Sequence, residues 1–458
     1  MILPSNSKPQ ALNPNGWFKG KGQETRDNSL SSIQTLTYLP CLRIWGLGFS
    51  LLIVLLLTLC TPGTLFSQEV YLRLTDYGGG KINLVVKPFG VKDASDDVVV
   101  MTKTIETIVR YDLDYSLYFE LFEDTILPRD SENQAVVVEG IGERSRLTII
   151  LKDLASQEKI MEKEYIIDEN VREQAHRISD DIIEYTVGEQ GIASTKIVFS
   201  YKASDSKELA MIDYDGYTLT PLTSNGKYNL FPAWAPDGKR VLFSTHSADR
   251  LNIYLFDLIE RKITVISSLR GLNFAPCWSP DGAKICLSLT KDGDSEIYLL
   301  DLATRKLNRL TYNRAIDTSP TFSPNSREIA FVSDRTGNPQ VYVMDIHGGN
   351  IRRLTFHGNY NTSPAWSPRG DIIAYVSRED DLSHQIYVTD PYDFSPVRLT
   401  SNGNNEEPSW SPDGLHIVYS SNGSGQYELY TMNWDGSRKR KLTRGLAAYA
   451  PDWSPIFK

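Results

Sequence analysis

The heptapeptide Pro276-Cys-Trp-Ser-Pro-Asp-Gly282 decides the fold, because five related segments occur elsewhere in the same chain. The leading prolines are 44, 44, 44, 44 and 43 residues apart, and the other copies begin at Pro232, Pro320, Pro364, Pro408 and Pro451. Phe322 replaces the tryptophan in the third copy, and the sixth copy ends Ser-Pro-Ile-Phe. A constant interval of this length indicates a chain of repeated supersecondary units.

Each heptapeptide except the last is followed by three segments with the composition of β-strands. After Pro364 these segments are Ile372–Ser377, Gln385–Asp390 and Pro396–Thr400. They are rich in β-branched and aromatic residues, and turns that contain Gly, Pro or Asn separate them. Together with the Pro-x-Trp segment they make four strands in 44 residues, which is the size of one β-propeller blade.

The two ends of the repeat region complement each other. Three strand-like segments, at Lys196–Ser200, Glu208–Asp213 and Leu219–Thr223, have no heptapeptide before them, and the last heptapeptide has no such segments after it. We therefore predict that the C-terminal segment supplies the missing strand of the first blade. This pairing closes residues 194–458 into a six-bladed all-β propeller of four-stranded blades and leaves no open edge in the ring. The recurring Trp is predicted to pack between blades, with sugar stacking as the alternative.

Residues 68–193 lack the repeat and predict a small α/β domain. A strand ends in Val85-Val-Lys-Pro-Phe89, and apolar residues at helical spacing predict a helix over 96–111. Further strands are expected at 118–122 and 135–139, followed by a hairpin of residues 146–152 and 163–168. A second helix over 169–187 is expected to end at Gly188.

The region before the α/β domain has the features of an export signal. Arg43 precedes residues 44–67, which carry no charge and include the apolar run Leu51–Cys60. A membrane anchor is the alternative, because a membrane span needs about 20 apolar residues. Pro62 and Gly63 interrupt such a span and favour a cleaved signal. We predict a disordered extension over 1–43, a signal region over 44–67 and an exported mature chain.

Composition limits the partners. The formal net charge is −9, so we expect no nucleic-acid partner. After the signal region only Cys277 and Cys286 remain, and they flank one Ser-Pro-Asp-Gly turn. A cross-strand disulfide is possible, but two buried thiols acting as small apolar groups are the preferred interpretation.

The signal region, the Val-Val-x-Pro-Phe strand and the six Pro-x-Trp-Ser-Pro-Asp-Gly segments together resemble the TolB family of the periplasmic Tol–Pal system. The resemblance covers residues 69–458. It implies a non-enzymatic, monomeric periplasmic protein without cofactor, whose propeller binds the peptidoglycan-associated lipoprotein Pal. It also implies that the N-terminal region binds an inner-membrane, TolA-like protein through the counterpart of a mobile peptide, here Gln68 to Thr75. Such a protein supports outer-membrane integrity and cell division.

The resemblance implies a partner-binding face at the mouth of the propeller channel. The loops that lead into the Pro-x-Trp strands converge there, and five of the six residues three positions before each proline are Asn or Asp. These residues are either turn formers or direct contacts. The residues next to the prolines differ from blade to blade, as an asymmetric binding surface requires. The predicted partner-binding residues are Asn229, Phe231, Asn273, Ala275, Asp317, Thr318, Ser319, Asn361, Thr362, Ser363, Glu406, Glu407 and Tyr449.

Two other functions are consistent with a propeller. An accessory propeller of a hydrolase system would need a Gly-x-Ser-x-Gly elbow and a further domain, and the sequence contains no such pentapeptide. A propeller that binds carbohydrate or peptidoglycan is consistent with the aromatic content of 10%. The six histidines show no metal-ligand spacing, so we expect no metal ligands. Asp213-Tyr-Asp-Gly216 and Asn433-Trp-Asp-Gly436 resemble fragments of calcium loops but are predicted to be hairpin turns.

Overall fold

The computed structural model describes residues 80–122, 135–247 and 250–457. The predicted extension, signal region and Gln68–Thr75 peptide lie outside these ranges. Within them no helix has the length and apolar character needed to cross a membrane.

The first part of the described chain is a mixed α/β domain, as predicted. Its sheet has the order β3-β1-β4-β5-β6, and β2 pairs with β4 beyond the end of β1. The β3-β1-β4 pairs are parallel, whereas β4-β5-β6 is antiparallel. The elements are β1 Ile82–Val86, β2 Gly90–Lys92, α1 Asp96–Tyr115, β3 Phe119–Phe122, β4 Ala135–Glu143, β5 Arg146–Asp153, β6 Lys159–Ile166 and α2 Val171–Val187.

Both helices pack on this sheet through buried apolar faces. Asp96 and Asp97 lie in the first turn of α1, where they interact favourably with the positive end of the helix dipole. The helix continues to Tyr115, beyond the predicted end at residue 111, because Leu113 and Tyr115 extend its buried face. Gly188 ends α2 with a φ of +79°, the left-handed conformation that favours glycine.

The propeller consists of six four-stranded sheets, so the predicted blade count is confirmed. The first strand of each blade lines the centre, and the fourth lies at the periphery. Blade 1 contains β30 Ala448–Trp453, β7 Lys196–Ala203, β8 Ser206–Asp213 and β9 Thr220–Pro221. Blade 2 contains β10 Asn229–Trp234, β11 Arg240–Ser247, β12 Arg250–Asp257 and β13 Lys262–Ser267. Blade 3 contains β14 Asn273–Trp278, β15 Lys284–Leu289, β16 Glu296–Asp301 and β17 Leu307–Arg309.

The remaining three blades repeat this arrangement. Blade 4 contains β18 Asp317–Phe322, β19 Glu328–Ser333, β20 Gln340–Asp345 and β21 Arg352–Arg353. Blade 5 contains β22 Asn361–Trp366, β23 Ile373–Arg378, β24 His384–Thr389 and β25 Val397–Arg398. Blade 6 contains β26 Asn405–Trp410, β27 His416–Ser421, β28 Glu428–Asn433 and β29 Arg440–Lys441.

The ring closes through β30, which pairs antiparallel with β7. Two further hydrogen bonds fasten the two ends of the propeller. The Trp453 indole Nε1 donates to Thr195 Oγ1 at 2.8 Å, and the Lys196 amide donates to Ser454 Oγ at 3.0 Å. The predicted closure by the C-terminal segment is therefore confirmed.

The recurring aromatic residue packs between adjacent blades. Trp278 belongs to blade 3, yet its cluster includes Ala235 and Leu242 of blade 2 together with Ile285 of its own blade. The six equivalent side chains are only 4–8% exposed: Trp234, Trp278, Phe322, Trp366, Trp410 and Trp453. The prediction that they form the inter-blade core is confirmed.

The two cysteines are free thiols on facing strands. Cys277 of β14 lies directly opposite Cys286 of β15. Cys286 is fully buried, and burial raises the pKa of its thiol well above the usual value. The preferred interpretation as small buried apolar groups agrees with the placement of Cys286, whereas Cys277 is only partly buried and lines the central channel.

The α/β domain packs against the end of the propeller where the first strand of each blade finishes. Leu415 joins the core of the α/β domain, and Trp434 packs against it. His416 Nε2 lies 2.9 Å from the Tyr115 carbonyl oxygen, and Arg438 Nη2 forms an ion pair with Asp114 at 2.5 Å. The loops that lead into the six inner strands therefore lie at the opposite end of the ring.

Removal of residues 451–458 is expected to lower the melting temperature of the whole propeller in a single transition, because the loss of the second half of β30, with Trp453, leaves blade 1 incomplete. Differential scanning calorimetry of the truncated chain measures this loss. A synthetic peptide of residues 446–458 is expected to restore much of the lost stability when it is added in trans. An unchanged melting temperature after truncation would contradict closure through this strand.

Candidate partner-binding site

A β-bulge interrupts every inner strand at the residue before its proline. In blade 2, for example, the pairing register shifts between Leu230 and Ala233. Proline has no N–H group to donate to the strand ladder, so a bulge is where an inner strand tolerates it. The bulge residues all have left-handed backbones: Phe231 (φ +51°), Ala275 (+47°), Ser319 (+52°), Ser363 (+50°), Glu407 (+55°) and Ala450 (+47°).

These six bulge residues and their prolines line a central channel of about 520 Å³. The prolines are the same around the ring and the inter-blade residue is always Trp or Phe, whereas the bulge side chains differ. Phe231 is 39% exposed and contributes the largest apolar group. Blades 4 and 5 contribute small hydroxyl groups, and blade 6 contributes the carboxylate of Glu407. The channel wall is therefore apolar on one side and acidic on the other.

The acidic side is built from Glu406, Glu407 and their partners. Glu407 Oε2 accepts hydrogen bonds from the Ala450 amide at 2.5 Å and from Ser420 Oγ at 3.2 Å. Shielding from bulk water raises the pKa of the Glu407 carboxyl above its usual value. The Glu406 carboxylate contacts His384 Nδ1.

The remaining predicted residues flank the bulges. Thr318, Thr362 and Tyr449 are partly buried, each one position before a bulge residue. Lys207 Nζ lies 3.8 Å from the centre of the Tyr449 ring. Thr318, Thr362 and Tyr449 are thus neighbours in sequence of residues that line the channel but do not line it themselves.

The predicted Asn and Asp residues occupy a different environment. Asn229, Asn273, Asp317 and Asn361 are fully buried, and they tie each inner strand to its neighbours. Asn361 Nδ2 donates to Gln340 Oε1 at 2.8 Å and to the His357 carbonyl oxygen at 2.7 Å. Asp317 accepts from Arg335 Nη2 at 3.0 Å. These side chains hold the loops of the channel mouth in place. Because they are buried, they cannot contact a partner directly.

Asp452 is a wall residue that the sequence prediction missed. Its carboxylate accepts hydrogen bonds from the Trp234 amide at 2.7 Å and from Ser409 Oγ at 2.9 Å, so it connects blades 1, 2 and 6. The equivalent residue in the other blades is uncharged, for example Ala233 and Ala365. A single charged residue at a repeat position that is otherwise uncharged is the sequence signal that could have identified Asp452.

The described part of the chain also contains a group of possible metal ligands away from the channel. His176, Asp213 and Asp215 lie at the junction of the α/β domain and the propeller, with one ligand atom from each within 4.8 Å of the others.

The hairpin turn predicted for Asp213–Gly216 is present, because the Gly216 amide donates to the Asp213 carbonyl oxygen at 2.9 Å.

Six four-stranded blades, a channel with dissimilar wall residues and a mixed α/β domain define a two-domain β-propeller protein. The family model described as TolB beta propeller domain matches residues 183–457. The chain belongs to the TolB family.

Individual relatives agree with this assignment. Two Tol-Pal system proteins TolB, from Desulfosudis oleivorans and Geobacter sulfurreducens, are 32% and 34% identical to this chain over 212 and 213 residues. These matches cover 41% and 42% of this chain and 48% and 49% of the relatives, so the chain spans about half the length of the curated relatives it matches. The crystal structure of TolB from Acinetobacter baumannii is 28% identical, with a TM-score of 0.70, and the match covers 82% of this chain and 97% of that chain.

The substitution Asp452→Asn is expected to change how stability depends on pH. Shielding in the channel wall raises the pKa of Asp452 from 3.8 to about 6. Between these two values the folded chain keeps a proton that the unfolded chain has lost, so the contribution of Asp452 to stability falls as the pH rises towards 6 and is constant above it. The free energy of unfolding of the unsubstituted chain, minus that of the variant, should therefore be larger near pH 4 than near pH 7. Urea titrations at both pH values measure it, and equal differences would contradict the raised pKa.

Proposed function

We propose that this chain is a non-enzymatic periplasmic adaptor of the Tol–Pal system. Its propeller binds a Pal-like, peptidoglycan-associated lipoprotein at the channel mouth, and its N-terminal region binds a TolA-like inner-membrane protein. In this role the protein supports outer-membrane integrity and cell division. Export through the region 44–67 would deliver it to the periplasm.

One observation carries the lipoprotein-binding proposal. The six bulge residues are structurally equivalent and all line the channel, yet their side chains include an aromatic ring, methyl groups, hydroxyls and a carboxylate. The prolines and inter-blade aromatic residues around them are nearly constant, so the bulge positions give the blades different side chains on the surface that a partner can reach. Blades 2 to 6 of this surface offer an apolar anchor at Phe231, hydroxyl groups at Ser319 and Ser363, and an acidic edge at Glu406 and Glu407. The flanking Thr318, Thr362 and Tyr449 complete the proposed contact set.

The substitution Phe231→Ala is expected to weaken lipoprotein binding about 30-fold, as the loss of an aromatic interface anchor usually does. The experiment is a pull-down from outer-membrane extract, followed by calorimetry with the purified lipoprotein. Ile263→Ala is the matched control, because Ile263 is also exposed in blade 2 but lies on the peripheral strand β13. This control should bind as the unsubstituted chain does.

Two outcomes would contradict the proposal. The first is equal binding by the Phe231→Ala and unsubstituted chains. The second is retention of the protein on peptidoglycan that has been stripped of lipoproteins, which would favour a carbohydrate-binding propeller.

Deletion of residues 68–75 is expected to abolish binding of the TolA-like protein and to leave lipoprotein binding within about twofold, because the propeller surface is unchanged. Both affinities are measured on the mature exported chain. A scrambled sequence of the same eight residues serves as the control for chain length and should behave as the deletion does. Full TolA-like binding by the deleted chain would place that contact elsewhere.

A further inference from the structure

A buried polar cluster joins the α/β domain to the propeller. Asp112 of α1 and His176 of α2 come from the α/β domain. Asp213 is the last residue of β8 in blade 1, and Asp215 lies in the turn that follows it. The exposed fractions are 2% for Asp112 and 3% for His176. Buried charged and polar groups require compensating partners.

The orientation of the His176 imidazole follows from its contact with Asp112. His176 Nδ1 lies 2.8 Å from Asp112 Oδ2, and this contact fixes the rotation of the imidazole ring. Asp112 is itself fixed, because it accepts hydrogen bonds from the Ser179 and Tyr214 hydroxyls. The Nε2 atom of His176 therefore faces away from Asp112, towards Asp215.

The His176 Nε2 atom is buried. Among the described residues, His176 Nε2 has no hydrogen-bond partner, and the nearest acidic oxygen is Asp215 Oδ2 at 3.5 Å. Asp213 adds a second carboxylate, so that three ligand atoms lie within 4.8 Å of one another. One imidazole nitrogen and two carboxylates thus lie close together, and all three are groups that coordinate metal ions in proteins.

We propose that His176, Asp213 and Asp215 bind one divalent transition-metal ion of the Zn²⁺ class at the junction of the two domains. One imidazole nitrogen and two carboxylate oxygens form a ligand set that zinc accepts. The Asp112 carboxylate behind His176 is the outer partner that metal-binding histidines commonly have. Since the ligands come from both domains, the ion links the α/β domain to blade 1.

Two basic side chains compete with the ion for the carboxylates. Arg172 forms an ion pair with Asp215, and Lys196 Nζ lies 2.5 Å from Asp213 Oδ1. Both side chains are partly exposed, 27% for Arg172 and 34% for Lys196, so they can withdraw towards solvent. The Arg172 guanidinium also lies 3.6 Å from the centre of the Tyr217 ring, which offers it an alternative contact. Metal binding and the Arg172–Asp215 ion pair are therefore mutually exclusive.

The test is a calorimetric titration. The full chain is first treated with EDTA and is then titrated with Zn²⁺ alone. One equivalent of Zn²⁺ is expected to bind to the unsubstituted chain. His176→Ala and Asp215→Asn should abolish this binding, and Asp112→Asn should weaken it about 10–100-fold. His347→Ala is the matched control, because His347 is exposed and distant in sequence from the cluster, and it should bind one equivalent as before.

The Arg172→Gln variant distinguishes metal coordination from a merely structural role of the cluster. Loss of the competing guanidinium should tighten Zn²⁺ binding about tenfold, whereas loss of a structural ion pair alone would leave it unchanged. Circular dichroism shows which variants are folded. If the His176→Ala chain is misfolded, the Asp215→Asn and Arg172→Gln variants decide whether the cluster binds Zn²⁺. The proposal is overturned if the unsubstituted chain shows no saturable binding, or if folded Asp215→Asn still binds one equivalent. Either result would mean that a proton on His176, and not a metal ion, compensates the carboxylates.

Discussion

The backbone pairing of β30 with β7 joins segments that lie about 250 residues apart, and the geometry of the ring depends on it. The Lys196–Ser454 hydrogen bond spans 258 residues of sequence. Each blade buries its aromatic residue against the preceding blade, so every interface requires the next sheet to be in place. A ring with one open blade would leave a sheet edge and an inter-blade core exposed to water. Closure thus turns six similar sheets, each too small to be stable alone, into one cooperative unit.

The ring separates the residues that give stability from those available for recognition. Proline and the inter-blade aromatic residue fix the position of each inner strand, and in blades 2 to 6 a buried Asn or Asp does so as well. At the bulge before each proline, one residue per blade has a left-handed backbone and lines the channel. Because the backbone is held by its neighbours, the bulge residue is free to vary without loss of the fold. An asymmetric binding surface can therefore be built on a nearly symmetric frame.

The sequence predicted the features that repeat or follow helical and strand periodicity. The blade count, the closing strand, both helices and the inter-blade tryptophans all follow from such patterns. The sequence alone does not decide between a buried and a partner-binding role for Asn229, Asn273 and Asn361. An Asn or Asp recurs at this position in five of the six blades, and such recurrence is the same argument that assigns the tryptophans to the core. Contacts between distant segments could not be predicted, because nothing in the local sequence of His176 or Tyr115 indicates that each meets a blade. Asp452 is intermediate between the predictable and the unpredictable features. Its charge is the one sign of its role in the sequence, because the other blades have an uncharged residue at this position of the repeat.

The two ends of the propeller have different tasks in this account. One end carries the α/β domain through Tyr115, His416 and the Asp112–His176 cluster, and the opposite end presents the channel mouth. A partner at the mouth is therefore kept away from the domain that precedes the ring.

Photo-crosslinking tests the central claim most directly. A photoreactive amino acid is placed at Thr318 or Thr362, beside the channel, or at Ile263 on the peripheral strand of blade 2, and the chain is irradiated with the purified Pal-like lipoprotein. The account predicts crosslinks from positions 318 and 362 and none from position 263. Crosslinks from position 263 alone would contradict a binding site at the channel mouth.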